Sequence, residues 1–257
     1  MTEFRGLVRN LMSEKWRMMN WIIIVDLIFL VISNLFVVAT GGWKMVPFSD
    51  VLFQLFVISL SVANFVGFIL LSRNNERVFT SNNYRLIPAS DTKLYFSNFL
   101  TTTAAFIYLQ ILEIVLGTII YFISKPGNLS LSPSRADAPV LILFSVLLLG
   151  LLSMILMWTA ITSIHFIINW ISNFLPFARQ KFVSFILYIV VAMLGITIFN
   201  YTTGKVFSAI YLSPEGVLTL NQLSTVIWIG IGISLLWIAI FTVLNIYLLK
   251  RWTETIR

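Results

Sequence analysis

Apolar runs of about 20 residues, the length that crosses a hydrocarbon core as helix, alternate with short polar interruptions along the whole chain. They predict six membrane-spanning helices, at about 21–40, 51–72, 99–123, 139–166, 182–202 and 224–249. The runs are continuous rather than alternating in polarity, which argues against a transmembrane β-barrel. Gly41-Gly42 with Pro47, Lys125-Pro126-Gly127, and Pro176 punctuate the runs. Pro139 suits the first turn of the fourth span.

Ahead of the first span, Phe4, Leu7, Val8, Leu11, Met12 and Trp16 recur at helical spacing, with Arg5, Arg9, Ser13 and Arg17 opposite. This pattern predicts an amphipathic interfacial helix over 1–18, basic side toward lipid phosphates. The expected fold is therefore an all-α polytopic membrane protein, a single transmembrane domain over 1–257 made of that interfacial helix plus six spans. The opening residues do not read as a cleavable signal peptide, because charges persist to Arg17 and the apolar run from Trp21 is too long.

Composition agrees. Of 257 residues, 59% are hydrophobic and 11% charged, against about a quarter charged in a soluble domain. The net charge of +7 raises the question of nucleic acid, but its distribution answers it. With six spans, thirteen of the seventeen Lys and Arg residues fall on the side of the two termini; Lys44, Lys125, Arg135 and Lys205 fall on the other. The positive-inside rule then makes both termini and the 73–98 loop cytoplasmic, and anionic headgroups account for the basic excess without a nucleic-acid partner. Trp16, Trp21, Trp43, Trp170 and Trp252 fall near the expected interfaces, and Trp158, Trp228 and Trp237 read as deeper packing residues.

Candidate chemistry is sparse. There is no cysteine and one histidine, His165, which lacks partners for a usual zinc site and reads as a satisfied polar residue near a span end. No HExxH, GxSxG or GxxxxGK[ST] occurs, so neither a zinc protease, an elbow-type hydrolase nor a nucleotide-hydrolysing loop is indicated. Two carboxylates lie inside spans. Asp26 sits about a turn and a half from the cytoplasmic end, within reach of Arg17 or Lys15. Glu113 sits deeper, near Gln110. An ionisable group in a span needs a partner, water or a proton, and is a functional candidate by default. Asn64, Ser59 and Thr101–Thr103 read as interhelical hydrogen-bonding residues, and Gly230 and Gly232 with Ser234 as a place for close helix approach.

The longest polar interruption is Arg73–Asn98. Glu76–Tyr84 predicts a short helix at the membrane surface, Pro88 stops it, and Ser90-Asp91 caps the next helix. Within it runs Arg85-Leu86-Ile87-Pro88-Ala89-Ser90-Asp91-Thr92-Lys93. At this stretch, and in its layout of N-terminal interfacial helix and six spans, the chain resembles the permease subunits of type-2 ABC exporters. The resemblance implies that the 73–98 loop is a coupling element docking on a separate ATP-binding subunit through Glu76, Arg77, Tyr84, Arg85, Pro88, Asp91 and Lys93. It implies two such ATPase subunits, which hold the ATP and magnesium, and a second permease subunit, identical or homologous; the chain itself would bind no cofactor. It also implies short helical elements between the fifth and sixth spans, around 205–220. Small members of this kind resemble exporters of bacteriocins, lantibiotics and amphipathic peptides, which implies a peptide-like substrate and a bacterial cell membrane. Two other readings stay open: a membrane enzyme or assembly scaffold without an ATPase, and a proton-coupled carrier using Glu113.

Overall fold

The computed structural model describes residues 4–41, 48–81, 84, 89–124, 140–174, 181–210 and 220–252. Those residues form six long helices: α1 (Phe4–Ala39), α2 (Phe48–Thr80), α3 (Asp91–Ser124), α4 (Val140–Phe174), α5 (Lys181–Ile210) and α6 (Leu220–Trp252). All six are long and apolar enough to cross a membrane. The shortest has 30 residues and the longest 36, about 45–54 Å of helix at 1.5 Å per residue. Each overshoots its apolar run because the flanking polar residues are themselves helix-permissive.

That overshoot corrects the N-terminal expectation. There is no separate interfacial helix: residues 4–39 are one continuous helix. Nothing in Lys15–Trp21 breaks a helix, and one buried stripe of Leu7, Leu11, Lys15, Met19, Ile22, Asp26, Leu30 and Asn34 runs along its length. Likewise α2 does not end at the close of its apolar run but carries on through Arg73–Thr80, absorbing the first half of the expected surface helix. Of the expected outer elements at 205–220, residues 205–210 close α5, Leu220 opens α6, and 211–219 lie outside the described residues.

The start of α3 is as expected: Ser90 Oγ accepts from the Lys93 amide at 3.4 Å, and the Ser90 carbonyl accepts from the Leu94 amide at 3.0 Å.

The chain divides into two compact units, residues 1–78 with 87–132, and residues 79–86 with 133–257. In the first, α1 packs along α3, and Leu30, Phe56 and Ile120 form an apolar core joining α1, α2 and α3. Gly67 admits the close approach here: a Cβ at that position would meet Leu109 Cδ2 at 2.9 Å and Ile22 Cδ1 at 3.6 Å. Gly117 sits similarly against Phe56, at 3.1 Å.

In the second unit, α4 packs along α6 and less extensively on α5. Its core includes Ile142, Leu152, Ile227 and Ile231, and Phe79 meets Phe166 edge-on. Fully buried Asn245 of α6 accepts from Ser163 Oγ at 2.8 Å and donates to the Thr159 carbonyl at 3.0 Å. Gly230 makes ordinary contact with Leu149 and Gly232 faces open space, so the tight approach occurs at Gly67 and Gly117 instead. Trp158 is buried and Trp237 donates to Thr203 Oγ1 at 3.0 Å, as packing residues do; Trp228 is 43% exposed and is not one.

Both units turn polar side chains inward and apolar ones outward. Ile28, Phe36 and Phe65 are exposed while Lys15, Asn98 and Glu113 are buried. That profile suits a lipid solvent, which leaves interhelical polar contacts as a main source of specificity.

Candidate functional site

Two polar clusters lie in the first unit, one near the turn from α2 to α3 and one midway along the helices.

The first is built on Lys15. Its side chain has no exposed surface. Nζ lies 2.7 Å from Asn98 Oδ1, 3.0 Å from the Asn98 carbonyl, 2.9 Å from Thr101 Oγ1, 2.6 Å from Thr102 Oγ1 and 3.3 Å from Asn75 Oδ1. An ammonium has three N–H donors, so these five oxygens share it. All five are neutral. The α3 contribution follows from spacing: Asn98, Thr101 and Thr102 stand at i, i+3 and i+4 on one helix face. Thr102 also donates to Asn75 Oδ1, which joins α3 to α2 without the lysine. Lys15 therefore ties three helices through one atom. Next to it, Glu14 accepts from Asn74 Nδ2 at 3.0 Å and stands 3.8 Å from Arg77 Nη1. Trp16 stacks on Tyr108, ring centroids 4.1 Å apart, and the Tyr108 hydroxyl donates to Asn20 Oδ1 at 2.8 Å. Three successive residues of α1, Glu14, Lys15 and Trp16, with Asn20 a turn later, thus grip α2 and α3.

The second cluster is built on Glu113, 4% exposed. Asn64 Nδ2 of α2 donates to Glu113 Oε2 at 2.7 Å, Gln110 Nε2 reaches the same oxygen at 3.4 Å, and Gln110 also donates to Asn64 Oδ1. Glu113 Oε1 is buried with no hydrogen-bond partner among the described residues. Asp26 lies on the buried stripe of α1, and Ser59 of α2 is buried and donates to the Phe56 carbonyl at 3.0 Å. The sequence places Asp26 shallow and Glu113 deep. Asp26 does not pair with Lys15, whose bonds go to Asn75, Asn98, Thr101 and Thr102.

Of the loop residues singled out by sequence, Glu76 and Arg77 lie on the last turns of α2, Glu76 half-buried and Arg77 68% exposed. Asp91 and Lys93 open α3, with Lys93 exposed, and Tyr84 is half-buried. Arg85 and Pro88 lie outside the described residues. In the second unit His165 Nδ1 stands 2.8 Å from the Tyr188 hydroxyl, a polar contact between α4 and α5. Among the described residues, no three His, Asp or Glu side chains are grouped so as to hold a metal ion.

Sequence reasoning took Lys15 for a topology charge within reach of Asp26 and did not single out Asn74, Asn75 or Asn98. The signal was present: Lys15 falls four residues after Leu11 and four before Met19, on the stripe that buries.

The arrangement is that of a multi-pass membrane protein with a tied polar end and a buried carboxylate cluster. No protein family, curated protein or solved structure matches the chain.

Proposed function

We propose that the chain is the permease subunit of an ATP-driven ABC exporter. It forms part of the path for an amphipathic or peptide-like substrate and docks a separate ATPase subunit through the 73–98 loop. The observation that carries the reading is the Lys15 tie. A subunit with no phosphate loop of its own must receive mechanical work from another protein, and work delivered at a loop is useful only if the helices behind it move together. Lys15 joins α1, α2 and α3 beside that loop, and α2 runs unbroken from the apolar segment to Arg77 and Thr80. The exposed Arg77 end is thus rigidly continuous with a span.

The loop motif from Arg85 to Lys93 and the basic bias support the same reading, with the loop and termini in the cytoplasm of a bacterial cell. A second permease subunit, identical or homologous, and two ATPase copies complete the assembly. The test is a photoreactive phenylalanine in place of Tyr84, activated in cells producing the chain. The proposal expects an adduct with a protein that carries a GxxxxGK[ST] phosphate loop. Efficient adducts with other proteins, and none with such a protein, would sink it in favour of a scaffold or membrane enzyme.

A further inference from the structure

Glu113 lies near the middle of the third apolar run, where an ionisable side chain calls for a compensating partner. Among the described residues no basic side chain pairs with it. The buried ammonium of the same unit, Lys15, is committed to Asn98, Thr101 and Thr102.

The hydrogen bonds around Glu113 are unbalanced in one direction. Asn64 is filled: Nδ2 donates to the Leu60 carbonyl at 3.0 Å and to Glu113 Oε2 at 2.7 Å, and Oδ1 accepts from Gln110. A side-chain amide has two N–H donors. Both of those on Gln110 are engaged, with Asn64 Oδ1 and, at 3.4 Å, with Glu113 Oε2. Two oxygens are left over. Neither Glu113 Oε1 nor Gln110 Oε1 accepts a hydrogen bond among the described residues. Turning the Gln110 amide over would set its oxygen against Asn64 Oδ1, so the cluster cannot balance itself. What it lacks is donors, and what it carries is a carboxyl group.

The matching group has donors only and a positive charge, which describes an ammonium or a guanidinium. A hydroxyl brings a donor without the charge. A hard metal cation takes about six oxygen ligands, against two unfilled oxygens here. The cluster is also near a surface. Glu113 is 4% exposed, but Asn64 and Gln110 are half-buried, and Phe65 and Ile114 beside them are exposed. The unfilled oxygens thus lie about one side chain in from the apolar face of α2 and α3.

We infer that Glu113 Oε1 and Gln110 Oε1 form a binding site for the cationic head, a primary ammonium or a guanidinium, of an amphipathic molecule. The head pairs with the carboxylate and donates to both oxygens, while the apolar part lies along Phe65 and Ile114. Asn64 positions the site by holding Oε2. The inference rests on the exporter reading for the ligand's passage and narrows its substrate class to amphipathic molecules that carry a lysine, an arginine or a terminal amine.

Thermal unfolding of the purified full-length chain in nanodiscs of zwitterionic lipid tests this, with dodecylammonium as the probe. The expected result is a saturable rise of the unfolding midpoint by about 5 °C or more. Dodecyltrimethylammonium, equal in charge but without N–H donors, should raise it less, and dodecanol should not raise it. In Glu113→Gln the dodecylammonium concentration giving half the rise should increase at least about tenfold, and in Gln110→Leu it should increase by a smaller factor. Three results would overturn the inference: no rise in the unmodified chain, an equal rise with dodecyltrimethylammonium, or an unchanged half-point in a monodisperse Glu113→Gln protein. The first and second need no variant. Failure here with a phosphate-loop adduct at Tyr84 would leave the exporter reading in place with a substrate of other chemistry, because Tyr84 takes no part in this site.

Discussion

Lys15 Nζ lies 2.7 Å from Asn98 Oδ1, between residues 83 positions apart in sequence, inside a pocket with no carboxylate among the oxygens that hold it. The bond fixes the register of α1 against α3, and Asn75 brings in α2 from the other side. A buried ammonium carries a large desolvation cost, so its five oxygens and its withdrawal from lipid must act together. Replacing it with Met keeps the length of the side chain and removes the donors. Hydrogen bonds to charged groups contribute about 1.5–3 kcal/mol. Lys15→Met should therefore lower the midpoint of thermal unfolding in detergent, by a loss of about that size. Combined with Asn98→Ala the losses should add to less than their sum, because both remove the same contact. Additive losses would show that the two residues act independently.

Close helix approach gives a separate expectation. At Gly67 an added Cβ falls 2.9 Å from Leu109, itself fully buried, and overpacking of this kind costs about 1–3 kcal/mol. Gly67→Val should unfold at lower temperature than the parent. Gly150→Ala, where nothing lies within 4 Å, should not.

The hydrogen bonds at Glu113 predict an ordered pair of substitutions. Glu113→Gln keeps an oxygen for Asn64 and Gln110 to donate to and should fold at nearly the parental stability. Glu113→Leu takes one acceptor from each amide, leaving Asn64 only the Leu60 carbonyl and Gln110 only Asn64 Oδ1; at about 1–3 kcal/mol for each buried N–H left unsatisfied, it should be clearly less stable by the same unfolding assay. Equal stability of the two variants would show that these bonds do not hold the helices together.

Orientation is tested by labelling, which the absence of cysteine makes clean. Single cysteines at Ser81 and Ser132 should react with a membrane-impermeant maleimide from opposite faces, Ser132 from outside. Reaction of both from the same face would contradict the six-span arrangement.

The helices were legible because their signal is local. An apolar run of spanning length needs no partner to be recognised, and the Ser90 cap needs only its own next turn. The N-terminal segment misled for a related reason. Amphipathicity over 4–16 predicts a face but not a hinge, and without a glycine or proline after Lys15 the helix simply continued. The site was legible only in part. Glu113 and Gln110 stood out as polar residues deep in a span, three positions apart on one helix. Their partner Asn64 comes from 49 positions away, and Lys15 meets its oxygens across 60–87 positions. Which face of α1 turns inward is decided by the packing of three helices, and no spacing within one helix contains that.

The central claim is that an ATPase subunit works on this chain through the basic end of α2 and the loop beyond it. Its most direct test is ATP hydrolysis by the affinity-purified assembly, with Arg77→Ala and Arg85→Ala introduced together. Truncating one partner of a desolvated charge pair costs about 2–5 kcal/mol, and Arg77, 68% exposed in the single chain, is free to be covered by a docking subunit. The account predicts that the double variant loses most of the copurifying ATP hydrolysis, whereas Arg179→Ala with Lys181→Ala retains most of it. Undiminished hydrolysis with the 77/85 double variant, in a protein of normal yield and stability, would contradict the claim.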